Sequence, residues 1–284
     1  MPFTEYETKT VEYLEDQFEQ MGVEPGNGDS YFQEVPMVEI EAENMSDLHV
    51  EGSDFSKDYT FKDEFVALTR RVADSISINH SELVFAGYGV VAPEYEWNDY
   101  EGIDVTGKTV VVLVNDPGFG TSDSTFFKGD AMTYYGRWTY KYEEAARQGA
   151  TGILIVHDTK PASYPWGVVE NGWTGANLYL KSDDNNMSRC QVEGWIGLDV
   201  AKEFFKAAGK GEYNFTAEAK KRSFEPFDMG LNISLSFTNR TKTSESKNVA
   251  GLVRGTEKPD EVIIYSAHWD HLGIGKAVDG DSIY

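Results

Sequence analysis

The run KTVVVLVND carries five consecutive apolar residues, Val110 to Val114, and is followed by GRWTYKYEEAARQGA and GILIVHD. The first and third segments read as buried strands. The middle segment reads as a helix closed by Gly149. Strand, helix, strand in this order predicts a crossover unit within a mixed sheet, so the chain belongs to the α/β class.

Other segments fit around this unit. ETKTVEYLEDQFEQM, residues 7–21, predicts an amphipathic helix with Val11, Leu14, Phe18 and Met21 at helical spacing and Gly22 as its stop. A strand is expected near 33–40, and residues 41–75 carry no clear pattern. ELVFAGYGVVAP reads as a strand, and LDVAKEFFKAAGK as a helix with Val200, Phe204 and Ala208 on one face. In GLNISLSFTNRT, Leu231, Ile233, Leu235 and Phe237 alternate with polar residues, which predicts a half-exposed strand. KTSESKN reads as a polar turn, and VAGLVRG and EVIIYSAH as two further strands joined by TEKPD.

Length and composition bound the function. A chain of 284 residues with 40% hydrophobic and 13% aromatic residues can bury a real core. No run reaches the length of a membrane-spanning helix. The formal charge of −23, from 48 acidic and 25 basic residues, repels nucleic acid and anionic lipid. Solubility accounts for such a surface, with a salty habitat as the sharper alternative. Cys190 is the single cysteine, so no internal disulfide or cysteine metal cluster forms. The opening MPFTEYETKT lacks the basic-then-apolar pattern of a signal peptide.

Two motif matches are set aside. GIDVTGKT, Gly102 to Thr109, fits the phosphate-loop pattern, but it runs into a strand and not into the helix whose amides would face phosphates. Six N-x-S/T sequons, at Asn44, Asn79, Asn186, Asn214, Asn232 and Asn239, fall within what chance explains in a chain this rich in Asn, Ser and Thr.

The chemistry-bearing stretch is YSAHWDHLGIG, residues 265–275. His268 ends an expected buried strand, and ligands gather at the carboxyl ends of strands in open α/β sheets. Imidazole is a common zinc ligand. Asp270, two residues on, can accept a hydrogen bond from the ring nitrogen that does not touch metal, fixing the tautomer. Three letters alone read first as a buried, hydrogen-bonded histidine, and only the wider segment favours a metal ligand.

The longer segment NVAGLVRGTEKPDEVIIYSAHWDHLG resembles the dizinc aminopeptidase family, which also includes glutamate carboxypeptidase and the non-catalytic transferrin receptor. Asn248, Val249, Gly251, Gly255, His268, Asp270, His271 and Gly273 match the pattern of two strands ending in H-x-D-H-x-G. Upstream, residues 10–40 are similar to the family's first helix and strand. FAGYGVVAPEYEWNDYEGIDVTGKTVVVLVNDPG is similar to an inserted protease-associated domain, and EEAARQGATGILIVHD continues it.

The resemblance implies an incomplete zinc-peptidase α/β sheet domain with an inserted β-rich protease-associated domain. Residues 1–78 form the amino-terminal part of the peptidase domain, 79–228 the insert, and 229–284 the peptidase domain resumed. It implies a metallopeptidase, an aminopeptidase first, acting on peptides through a water shared by two zinc ions. His268 becomes a ligand of one zinc, Asp270 the residue that orients it, and His271 a packing or hydrogen-bonding residue. The bridging aspartate, the general-base glutamate and the remaining ligands have no counterpart here, and Asp279 and Asp281 read as loop residues. One histidine cannot hold a catalytic zinc, which takes about three protein ligands. The chain is therefore expected to be an inactive amino-terminal portion of an exported, periplasmic or secreted parent. An incomplete sheet is expected to self-associate through its bare edge. The alternative is a non-catalytic module that binds peptides or proteins through the insert.

Overall fold

The computed structural model describes residues 3–270, 274–278 and 280–283. The chain divides into two compact units, Met1–Val38 with Thr243–Tyr284, and Glu39–Lys242. In chain order the elements begin with α1 (Glu5–Gln20), β1 (Glu24–Pro25), β2 (Phe32–Glu43), β3 (Leu48–Gly52), β4 (Phe55–Tyr59), β5 (Phe65–Leu68) and β6 (Ser75–Phe85). They continue with β7 (Val91–Ala92), β8 (Trp97–Asn98), β9 (Thr109–Leu113), α2 (Trp138–Arg147), β10 (Gly152–His157), α3 (Thr159–Ala162), α4 (Trp166–Gly172) and β11 (Ala176–Leu180). The last are β12 (Val192–Gly197), α5 (Leu198–Ala207), α6 (Phe215–Glu218), β13 (Phe227–Val249), β14 (Gly251–Leu252), β15 (Ile274–Val278) and β16 (Asp281–Ile283). Among the described residues no helix is long and apolar enough to cross a membrane.

The Glu39–Lys242 unit is built on a large mixed sheet. β6, β9, β10 and β12 lie side by side and all parallel. β5 pairs antiparallel with β12 on one side. On the other, β13 pairs antiparallel with β6 and β3, and β3 with β4. The expected crossover is β9–α2–β10. Every residue of β9 and β10 is buried, as a parallel sheet covered on both faces requires.

Alternation along these strands feeds two cores. Leu83, Phe85, Val111, Leu154, Val156 and Ile196 face one side, with Phe204 and Phe205 of α5. Val110, Val112, Ile153, Ile155 and Trp195 face the other, with Tyr142 and Ala145 of α2. Gly149 and Gly209 follow α2 and α5 with φ of +82° and +73°, a left-handed turn that glycine adopts without strain. The phosphate-loop look-alike is turn leading into β9, with no helix behind it.

β12 was not legible as a strand, because Glu193 and Gly194 interrupt its apolar run. Glu193 is fully buried and pairs with Arg70 Nε at 2.9 Å. The Arg70 guanidinium also lies near the rings of Trp138, Tyr142 and Tyr179, at 5.7, 6.0 and 5.4 Å. A buried carboxylate costs much unless paired, so Arg70 is what lets β12 carry it.

In the other unit, α1 buries Val11, and the Phe18 ring lies 6.1 Å from the Tyr31 ring. Met21, expected on the apolar face, is 65% exposed, because α1 ends at Gln20 ahead of Gly22 at φ +72°. β1 pairs with β14. A Cβ on Gly251 would sit 2.5 Å from Val23 Cγ1 and 2.9 Å from the Phe18 ring, so only glycine fits there. Lys258 O lies 3.8 Å from a Cβ built on Gly255, ordinary contact that sets no such demand.

Three local expectations are corrected. KTSESKN is not a turn but the second half of β13, which runs for 23 residues. Its polar side chains have partners: Ser246 Oγ donates to Glu7 at 2.7 Å, Lys247 pairs with Glu34 at 3.2 Å, and Asn248 donates to Gln33 at 2.9 Å. A supplied partner outweighs a weak local preference for turn. VAGLVRG is strand only at Val249, the last residue of β13, and at β14. EVIIYSAH is neither strand nor buried: Val262, Ile263, Ile264 and Tyr265 are 75, 81, 81 and 94% exposed. A strand needs a ladder partner, and among the described residues this apolar run has none.

Burial pushes the Glu193 carboxyl up to about 7, against the pull of Arg70. The unfolded chain releases that proton first, near 4.5, so the group lowers stability as pH rises from 4.5 to about 7. Denaturation midpoints of wild type should fall across this window relative to those of Glu193→Gln. Parallel pH profiles for the two proteins would contradict this origin.

Candidate functional site

His268 and Asp270 are brought together, but differently from the simplest reading of H-x-D. Trp269 Nε1 donates to Lys247 O at 3.0 Å, which ties the motif to β13. His268 Nδ1 lies 2.5 Å from the main-chain oxygen of Asp270 and 3.5 Å from its carboxylate Oδ1. A carbonyl oxygen only accepts, so Nδ1 carries the proton. Nε2, the ring nitrogen that would face a metal, makes no hydrogen bond among the described residues. Both side chains are exposed, at 76% for His268 and 46% for Asp270. His271, Gly273 and Asp279 lie outside the described residues.

One imidazole does not make a zinc centre. Among the described residues no three or more His, Cys, Asp and Glu side chains come together as a metal-holding group. His268 fits as a single ligand, and the described residues do not fit a catalytic zinc, so no chemical step is derived through one.

Sequence reasoning missed a second place of the same kind. The rule that ligands gather at carboxyl ends of strands was applied to His268, whose segment is not a strand. It holds for His157–Asp158, at the carboxyl end of β10 in the parallel sheet. His157 is buried, and its Nε2 donates to Tyr164 O at 3.0 Å. Burial holds its pKa below the ordinary histidine value, so the ring stays neutral. The signal was present as an imidazole and a carboxylate ending GILIVHD, read only as strand.

The same edge of the sheet collects further buried polar groups. Asp99 accepts from Tyr88 N at 3.1 Å, Val90 N at 3.0 Å and Trp97 Nε1 at 2.9 Å. Asp116, just past β9, accepts from Thr133 N at 3.0 Å and from Gly118 N at 3.0 Å. Lys141 of α2 donates to Tyr88 O at 2.6 Å, and burial pulls its pKa down to about 7. Each of these groups is bonded to the loops that follow β6 and β9. They fix loop shape and offer no open reactive atom.

No protein-family model matches the chain. No curated protein matches it. Among solved structures it is similar to one described as "The structure of BSAP, a zinc aminopeptidase from Bacillus subtilis", with 9% identity and a TM-score of 0.31. The match covers 90% of this chain and 43% of that one, so the chain spans less than half the length of that structure.

The geometry at His268 makes a direct prediction. Because the main chain of Asp270 takes the ring proton, Asp270→Asn should leave the Nδ1–H tautomer unchanged in ring ¹⁵N spectra at neutral pH. A switch to the Nε2–H tautomer in that variant would show that the carboxylate holds the ring instead.

Proposed function

We propose that this chain is the amino-terminal part of a zinc-dependent exopeptidase, an aminopeptidase first, whose substrates are peptides. Residues 1–78 and 229–284 contribute to the peptidase domain, and 79–228 form a protease-associated insert. His268 serves as a ligand of one of two zinc ions in the complete enzyme, and Asp270 orients it. The complete enzyme works outside the cytoplasm, in the periplasm or after secretion.

The observation that carries the reading is the exposed His268 side chain: its Nδ1 is bonded at Asp270, and its Nε2 has no partner among the described residues, within a segment that matches H-x-D-H-x-G. With a single ligand among the described residues, the chain alone is expected to hydrolyse no peptide. Calorimetric zinc titration of the chain at neutral pH should show weak binding that His268→Ala abolishes. Equal zinc affinity in the variant would remove the basis of the reading.

The apolar run Val262–Tyr265 belongs to the same proposal. Exposed and without a ladder partner among the described residues, it is the apolar surface through which copies of the chain associate. Wild type should sediment as concentration-dependent oligomers, and Ile263→Asp with Ile264→Asp should return it to monomer. A wild-type monomer at all concentrations would contradict this.

A second reading, a binding module carried by the Glu39–Lys242 unit, is favoured by one observation. A cavity of about 410 Å³ opens where His157 and Gly197 end β10 and β12. It stands as the alternative to the peptidase reading.

A further inference from the structure

The run Glu261-Val-Ile-Ile-Tyr265 has the composition of a strand. From Val262 to Ala267 the main chain makes no hydrogen bond among the described residues, and its side chains stand in solvent. A β-branched run with little charge and no proline is the kind of segment that pairs with an open sheet edge.

β11 presents such an edge. It stands at the end of the strand order of the large sheet, so one side of its ladder has no partner among the described residues. Its five residues alternate between exposed and half-buried. Leu178 and Leu180 point outward, at 44 and 65% exposed, while the Tyr179 ring lies 5.4 Å from the Arg70 guanidinium. A charge or a proline commonly blunts an edge strand, and β11, Ala-Asn-Leu-Tyr-Leu, contains neither. The first charge is the exposed Lys181, one residue past its end. One side-chain bond reaches its main chain, from Asn186 Nδ2 to Leu180 O at 3.4 Å.

We infer that residues 261–265 of one copy add as an antiparallel strand to the open edge of β11 in a second copy. The direction follows from charge. Antiparallel pairing sets Glu261 against Lys181 and places Val262 and Ile264 beside Leu180 and Leu178, whereas parallel pairing puts the two charges at opposite ends. Glu261 is exposed and pairs at present with Lys258 at 2.9 Å. The net charge of −23 opposes association of copies, but this contact carries one acid and one base and is locally neutral. Main-chain bonds hold the added strand, and the alternate aliphatic side chains give it specificity. Donor and acceptor are different patches, so the contact is heterologous. Because the addition is reversible, 261–265 still exchange their amides far faster than β10. The inference rests on the self-association reading and names the surface that receives the apolar run.

The test is complementation, read by sedimentation at an ionic strength of about 0.15 M. The acceptor variant, Leu178→Lys with Leu180→Lys, changes only exposed side chains and should be monomeric with an unchanged circular dichroism spectrum. The donor variant, Ile263→Asp with Ile264→Asp, should also be monomeric. Mixed, the two should form a one-to-one complex that grows no further, since only one intact donor and one intact acceptor remain. A capped peptide of residues 260–267, added to the ¹⁵N-labelled donor variant, should move the amides of 176–181. The same peptide with Glu261→Lys should bind about two- to fivefold more weakly. Equal binding of the two peptides would overturn the antiparallel direction. An acceptor variant that associates like wild type, a mixture that stays monomeric, or a peptide that leaves β11 unmoved would overturn the pairing while self-association stands. Wild type that is monomeric at all concentrations would overturn both.

Discussion

The parallel ladder of β6, β9, β10 and β12 is the constraint on which the larger unit depends. Strands of one direction place all their carboxyl ends on one edge. Their burial on both faces then leaves that edge as the place where polar side chains can gather. Asp99, Asp116, Lys141 and His157 are all bonded to loops at this edge, and each is buried. The apolar layers on either side hold the ladder. The polar groups beyond its end shape the loops and the cavity.

The buried Arg70–Glu193 pair shows the same logic on one face of the sheet. Replacing such a pair with apolar residues is often neutral or stabilising, so its presence is no sign of extra stability. What the structure shows is where the charge is met: Glu193 of β12 lies against Arg70, whose guanidinium stands near the rings of Trp138 and Tyr142. The same strand ends at Gly197 on the cavity wall.

Much of the fold was legible because local pattern and final environment agree. α1, α2, α5, β9, β10 and the first half of β13 follow from periodicity, and glycines at positive φ mark the helix ends. What was not legible depended on distant partners. β12 looks broken until Arg70 meets Glu193, and KTSESKN looks like a turn until Glu7, Gln33 and Glu34 bond to it. The converse holds for Val262–Tyr265, a strand by composition with no partner to make it one. At the candidate metal motif the pairing of His268 with Asp270 could be read from spacing. Which oxygen of Asp270 accepts could not, because it turns on main-chain geometry. His157 shared the same signal and was passed over because its strand already explained the residues around it.

Residue-level hydrogen exchange tests the central claim most directly. Amides of β9, β10 and β12 should exchange only through global unfolding, with β12 as protected as β10, while residues 261–268 exchange near unprotected rates. Loop-like exchange in β12, or protection of 261–268 equal to that of β10, would contradict the arrangement of the sheet and with it the edge that carries the cavity.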